Sequence, residues 1–141
     1  MSGTIKSYGS ASEAVTVTLL QGTSVIGSPQ VLTGVSGSAP YDQAYSFATI
    51  PAGTYTLKVE KKGHAPFTKE IIVDSSNVTE DVTMYLIGDV NGDGEVDVDD
   101  VYLLLQLCFR EPTTEELLLG DIDGNGEIDV DDVYACLQMC F

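Results

Sequence analysis

Residues 89–100 read DVNGDGEVDVDD, and the near copy DIDGNGEIDVDD follows 32 residues later at 121–132. Each copy places oxygen-bearing side chains at loop positions 1, 3, 5, 9 and 12. Glycine stands at position 6, where a calcium-binding loop turns sharply. Side chains at this spacing converge only if the backbone wraps around an ion, and Ca²⁺ takes six to eight oxygen ligands. The pattern is therefore nearly that of an EF-hand calcium loop.

The predicted metal ligands are the oxygen-bearing side chains and the main-chain carbonyl of position 7, which together would hold two Ca²⁺ ions, one per loop. In the first loop they are Asp89, Asn91, Asp93, Glu95, Asp97 and Asp100. In the second loop they are Asp121, Asp123, Asn125, Glu127, Asp129 and Asp132. Position 12 is Asp rather than the usual Glu, so the chain must come closer to the ion. Solvated acidic loops without an ion are the alternative, which two copies in register disfavour.

The segments that precede the two loops are predicted to differ in secondary structure, whereas the segments that follow them are predicted to be alike. Residues 82–87 alternate in polarity and predict a strand, whereas the capping-box pattern of Thr113 and Glu116 predicts a helix of about two turns at 112–119. Each loop is followed by a predicted helix, at about 99–109 and 131–141. The repeated unit is therefore a loop with its exiting helix.

Each of these two helices is predicted to be apolar on two sides. The first stripes are Val101, Leu104, Cys108 and Val133, Cys136, Cys140. The second stripes, identical as YxxLQxxF, are Tyr102, Leu105, Gln106, Phe109 and Tyr134, Leu137, Gln138, Phe141. A module of about fifty residues cannot bury both. We predict that the first stripes pack internally and that the second stripes contact a partner; the alternative is that both pack within this chain.

The repeated motifs GDVNGDGEVDVDDVYLLLQLCF and GDIDGNGEIDVDDVYACLQMCF resemble the dockerin family, whose modules plug enzymes and scaffolds into cellulosomes. The resemblance covers residues 88–141. It implies calcium-dependent folding, binding to a cohesin module of another protein, and an extracellular place in a bacterial polysaccharide-degrading complex. The further partner-binding candidates are Val98, Asp99, Arg110, Val130 and Asp131.

Two departures from the family pattern leave the choice of partner open. One large group of dockerins carries Ser-Thr at loop positions 10 and 11, where this chain has Val-Asp in both copies. Basic residues are often seen where this chain has Leu-Gln in both helices. The near-identical repeats also predict that the module can bind one partner in either of two orientations.

The N-terminal half predicts β-structure throughout. Expected strands lie at 3–7, 14–21, 30–33, 44–50, 53–61, 67–73 and 82–87, with Gly- and Ser-rich turns typical of a small immunoglobulin-like sandwich. The stretch IPAGTYTL at 50–57 resembles carboxypeptidase-regulatory-like or Cna-B-like sandwiches, which beside a dockerin would take the place of a supporting X module. We therefore expect two domains, an all-β sandwich of about seven strands at 1–87 and an all-α dockerin at 88–141.

Charge excludes some classes of partner. The net charge is −16, of which −14 lies from Gly88 onward. Nucleic acids and anionic membranes bind basic patches, so we expect neither as a partner. No stretch is typical of a signal peptide or a membrane span, and Met1-Ser2 looks like the start of an internal fragment. We expect a chain that is monomeric when alone.

The remaining reactive residues do not predict catalysis. The three cysteines lack metal-ligand spacing and are expected to be small core residues. His64 is the only histidine, and its turn-like surroundings predict a role in a surface loop. No catalytic motif is found, so we expect a non-enzymatic protein. The alternatives are a calcium sensor and a carbohydrate-binding cell-surface module, with Tyr8, Tyr41 and Tyr45 as aromatic candidates.

Overall fold

The computed structural model describes residues 1–141. The chain divides into two compact units, Met1–Met84 and Tyr85–Phe141. All strands lie in the first unit and all helices in the second. Strands and isolated β-bridges together account for 32% of the residues and helices for 19%, so the chain as a whole is mostly β-structure.

The first unit contains eight strands in two sheets. They are β1 (Ser2–Ser7), β2 (Val15–Gln21), β3 (Ser24–Val25), β4 (Gln30–Leu32), β5 (Tyr41–Ser46), β6 (Gly53–Lys61), β7 (Phe67–Val73) and β8 (Val82–Thr83). One sheet has the order β5-β1-β8, in which β1 is antiparallel to β5 and parallel to β8. The other has the order β3-β2-β6-β7, and β4 also pairs with β2.

Alternation along the strands builds the core of this unit. Val17 and Leu19 on β2 lie opposite Val59 and Leu57 on β6, and all four side chains are fully buried. Ile5 on β1 belongs to the same cluster, so the two sheets share one core. Fully burying a side chain of this kind contributes about 1.5–3 kcal/mol, which makes these positions the main support of the unit.

The second unit contains three helices, α1 (Val98–Leu107), α2 (Thr114–Gly120) and α3 (Val130–Met139). Each begins at a capping box, with Asp97, Thr113 and Asp129 as the N-cap residues. These side chains accept hydrogen bonds from backbone N–H groups that have no partner within the helix. The buried cluster of the unit is small and consists of Leu104, Leu107, Ile128 and Cys136.

The predicted fold class is wrong, because the C-terminal unit is not an all-α domain. Its three helices are short and together make up 19% of the chain. The acidic loops lie outside the helices, and Gly92, Gly94, Gly124 and Gly126 take a positive φ that a right-handed helix does not contain. The predicted strand at 82–87 contracts to Val82–Thr83. The predicted helix ends at 109 and 141 move back to Leu107 and Met139.

Candidate metal-binding loops and docking surface

The first acidic loop wraps around the carboxylate of its own first residue. Asp89 is fully buried, and its two carboxylate oxygens accept hydrogen bonds from the backbone N–H groups of Gly92, Asp93 and Gly94, at 2.7, 3.1 and 2.8 Å. Burial raises the pKa of Asp89, and the backbone hydrogen bonds oppose that rise. The turn at position 6 therefore places a backbone donor against the residue that opens the loop.

The second loop repeats this geometry. The carboxylate of Asp121 accepts hydrogen bonds from the backbone N–H groups of Gly124, Asn125 and Gly126, at 2.8, 3.0 and 2.9 Å. These donors stand at the same loop positions as those of the first loop. The two copies therefore share a backbone conformation as well as a sequence pattern.

Position 12 joins three parts of each loop. Asp132 is fully buried; its Oδ1 accepts from the backbone N–H groups of Ile122 and Asp123 at 2.7 and 3.2 Å, and its Oδ2 accepts from Asp129 at 3.0 Å. Asp100 makes the same three contacts in the first loop. Each of these residues is also the third residue of its helix. One carboxylate thus fixes the loop start, position 9 and the helix start together.

Position 9 has a role that the sequence analysis missed. Asp97 and Asp129, which were predicted as metal ligands, are the N-caps of α1 and α3. Their carboxylates accept hydrogen bonds from the backbone N–H groups of Asp99 and Asp131, both at 2.8 Å. The signal was present in the sequence, because an acid at position 9 and another three residues later form a capping-box pattern. The structure shows these two side chains as caps at the helix starts.

Positions 3 and 5 carry one amide and one carboxylate in each loop, in opposite order. Asn91 donates from Nδ2 to Asp93 at 3.0 Å, and Asn125 donates from Nδ2 to Asp123 at 3.2 Å. All four side chains are exposed. The side chains of Glu95 and Glu127 at position 7 are exposed too.

The donor set of the second loop suits a hard cation. Carboxylate oxygens of Asp121, Asp123 and Asp132 lie within 4.8 Å of one another. Two carboxylate oxygens offer about four lone-pair sites. Asp121 and Asp132 each accept three backbone hydrogen bonds, which leaves each about one site for an ion. Oxygen-only donors select Ca²⁺ or Mg²⁺ over softer metals. This acidic cluster could therefore hold a metal ion.

The predicted docking residues all lie on the surface. The exposed set comprises Val98, Asp99, Tyr102, Leu105, Gln106, Phe109 and Arg110 of the first copy, and Val130, Asp131, Tyr134, Leu137, Gln138 and Phe141 of the second. Phe109 and Phe141 are 84% and 93% exposed. Leu104 and Cys136, at matching positions of the first stripes, are fully buried. Each helix therefore buries one stripe and exposes the other.

Arg110 has a partner within the chain that the sequence analysis did not foresee. Its guanidinium donates to both carboxylate oxygens of Glu116, one of them at 2.9 Å, and to the carbonyl oxygen of Glu111. This ion pair lowers the pKa of Glu116 to about 2. Glu116 also accepts from the backbone N–H of Thr113, so the pair fastens the start of α2 to the segment after α1.

His64 is buried, so the prediction of a surface-loop role is wrong. Its Nε2 accepts a hydrogen bond from the backbone N–H of Tyr8 at 3.1 Å, and its Nδ1 lies 3.0 Å from the carbonyl oxygen of Lys62. Burial lowers the pKa of His64. Lys61 is buried beside it and donates to the carbonyl oxygen of Tyr8 at 2.9 Å. The sequence signal for this buried polar site was Lys61, because the alternating pattern of β6 places its side chain on the buried face of the strand.

The C-terminal unit is thus a duplicated loop–helix module with oxygen-lined loops and two equivalent exposed helix faces. Residues 87–135 match the model of the dockerin type I domain, which supports the dockerin resemblance of this part of the chain. Residues 37–86 match the PEGA domain model. The predicted carboxypeptidase-regulatory-like or Cna-B-like X module is therefore not supported, since a different domain model matches there.

Two solved structures resemble the whole chain weakly. Both are type II Cohesin-X-Dockerin complexes from Acetivibrio cellulolyticus. A C-terminal interface mutant is 18% identical, with a TM-score of 0.37, over 98% of this chain and 92% of that one. An N-terminal interface mutant is 18% identical, with a TM-score of 0.33, over 99% of this chain and 94% of that one. No curated protein matches the chain. None of its helices has the length and apolar character that crossing a bilayer requires.

Proposed function

We propose that this chain is a non-catalytic adaptor whose C-terminal module binds a cohesin module of another protein. The observation that carries the proposal is one exposed stripe, YxxLQxxF, repeated along α1 and α3 and the residues just after them, in a unit that matches the dockerin type I domain. Residues 88–141 are the docking domain, and residues 1–87 form its β-structured support. The adaptor works outside a bacterial cell, in a complex that degrades polysaccharides.

The exposed stripes supply the surface for such a contact. Six large apolar side chains lie exposed on the two helices or two residues beyond their ends, namely Tyr102, Leu105, Phe109, Tyr134, Leu137 and Phe141. Contiguous exposed apolar patches on soluble domains mark interaction sites. Aromatic residues dominate the energetics of protein interfaces, and four of these six are aromatic. Burial of this surface by a partner would supply most of the binding free energy.

Two Ca²⁺ ions stabilise the docking domain in this proposal, one in each acidic loop. The ligands are those of positions 1, 3, 5, 7, 9 and 12, with position 9 also capping the helix. The buried cluster of the unit has only four side chains, which is little for a module of this size. Ion binding free energy adds to folding free energy when the site does not exist in the unfolded chain. The ions thereby hold the helix faces in place for the partner.

The test combines folding with binding. The full chain is titrated with Ca²⁺ after chelation while far-ultraviolet circular dichroism is recorded, and binding to a panel of purified cohesin modules is measured in parallel. We expect helicity and cohesin binding to rise together as the ion is added. Full helicity in the presence of chelator, or no binding to any cohesin with Ca²⁺ present, would contradict the proposal.

The two equivalent faces can serve one partner in two orientations. Replacing Leu105 and Gln106 by alanine should leave cohesin affinity nearly intact, because the second face is unchanged. The same replacement of Leu137 and Gln138 is the matched control, and the variant with all four changes should lose binding. A large loss of affinity from either pair alone would show that one orientation dominates.

A further inference from the structure

The exposed apolar stripes lie in a unit that has almost no positive charge. From Gly88 onward the chain has 15 acids and one basic residue, Arg110. Arg110 is already held by both carboxylate oxygens of Glu116. Two bound Ca²⁺ ions would still leave this unit with a net charge of −10. The docking unit therefore offers a partner no free cation.

Acidic side chains stand beside each stripe. Asp99 follows Val98 in the first turn of α1 and is exposed one turn before Tyr102. Asp131 repeats this placement in α3, one turn before Tyr134. Residues three or four apart are neighbours on a helix surface. The tyrosine that begins each stripe therefore has a carboxylate next to it. The carboxylates of the acidic loops lie just before that tyrosine in the chain.

This charge pattern discriminates between possible occupants of the stripes. A second copy of the chain would bring two strongly acidic units together, and like charges facing each other cost free energy. A partner with lysine and arginine side chains around an apolar centre would instead be attracted, and its charges would stabilise the complex. We propose that the cohesin face bound by this chain is an apolar patch rimmed by basic side chains, an inference that rests on the proposed function.

The electrostatic contribution of such a pair appears mainly in the association rate. Charge complementarity steers the diffusional encounter, while the apolar contact holds the complex. The Debye length shortens from about 30 Å at 0.01 M to about 8 Å at 0.15 M ionic strength, so the steering weakens over that range. We expect the association rate constant to fall about tenfold between these two conditions.

The experiment uses the full chain with Ca²⁺ and purified cohesin modules selected to span acidic to basic docking faces. Association rates are measured by stopped flow at both ionic strengths. The variant Asp99→Asn with Asp131→Asn should associate about threefold more slowly with its cohesin, because it removes charges beside both stripes. The variant Asp42→Asn with Glu70→Gln removes two exposed charges from strands β5 and β7 and is the matched control.

The outcomes separate this inference from the proposed function. Preference for basic cohesin faces, with salt-sensitive association, supports the inference. Tight binding to an acidic or neutral face, or association unaffected by salt and by the change at Asp99 and Asp131, overturns it and leaves cohesin binding standing. Dimerisation of the chain through the stripes, detected by sedimentation, also overturns it. No binding to any cohesin overturns the proposed function itself.

Discussion

Replacing Asp132 by asparagine removes one carboxylate oxygen while keeping the size of the side chain. If the amide oxygen keeps the contacts to Ile122 and Asp123, the new NH₂ group faces the backbone N–H of Asp129. Two donors cannot bond each other, so this partly buried N–H loses its acceptor. Leaving a buried donor without a partner costs about 1–3 kcal/mol. We expect that loss in the free energy of unfolding of the metal-free chain.

A second loss appears only with Ca²⁺ present. An ion at about 100 times its dissociation constant stabilises the fold by about 2.7 kcal/mol. A site made about 100-fold weaker by losing a charged ligand would contribute about 0.4 kcal/mol at the same concentration. Asp132→Asn should therefore destabilise the unit by about 2 kcal/mol more in Ca²⁺ than in chelator.

The assay is urea denaturation of the full chain, followed by circular dichroism at a helix-sensitive wavelength, with Ca²⁺ and with chelator. Asp131→Asn is the control, because it removes the same charge from an exposed neighbour in the same turn. Its cost should be about 0.3–1 kcal/mol, from the helix dipole, and equal in both conditions. Equal destabilisation by Asp132→Asn with and without Ca²⁺ would refute the assignment of its carboxylate as a ligand.

Three further changes test the packing of both units. Leu104→Ala should cost about 2–5 kcal/mol in urea denaturation, because this side chain is fully buried, whereas Leu105→Ala should cost little; equal costs would contradict the assignment of the buried stripe. Gly120→Ala should cost about 1–3 kcal/mol, because the new Cβ would lie 2.9 Å from a methyl carbon of Leu104, and an unchanged melting temperature would argue against this contact. The pKa of His64 is lowered in the folded unit, chiefly by burial, so the unfolded chain takes up the proton first. Stability of the β unit, read from amide exchange of β6, should fall as the pH drops below about 6.5, by at most about 1.4 kcal/mol per pH unit, and His64→Gln should remove that slope.

The loops and helix faces were the most predictable parts of the chain, because their determinants are local. Oxygen donors at fixed spacing and glycine at position 6 describe one backbone turn, and a two-sided helix can be recognised from periodicity alone. The second use of the same atoms was not predicted. Asp97 and Asp129 satisfy a ligand pattern and a capping pattern equally well, and the structure shows them as caps.

The errors arose where distant parts of the chain meet. The local sequence of His64 predicts a turn, but the fold brings Tyr8 beside it, and the backbone N–H of Tyr8 donates a hydrogen bond to Nε2 of His64. The strand at 82–87 was predicted from alternation, yet only Val82–Thr83 pairs with β1. Pairing depends on a partner strand that local patterns do not specify. The predicted fold class is wrong for a different reason: the helices are too short to make the second unit all-α.

The repetition of YxxLQxxF in the two copies has an evolutionary consequence. In the proposed two-orientation binding, a substitution that removes one face leaves the other face to bind the partner. The damaged copy is then free to accumulate changes and to acquire a preference for a new cohesin while the old attachment persists. A duplicated contact surface thus allows specificity to drift without an intermediate that fails to assemble.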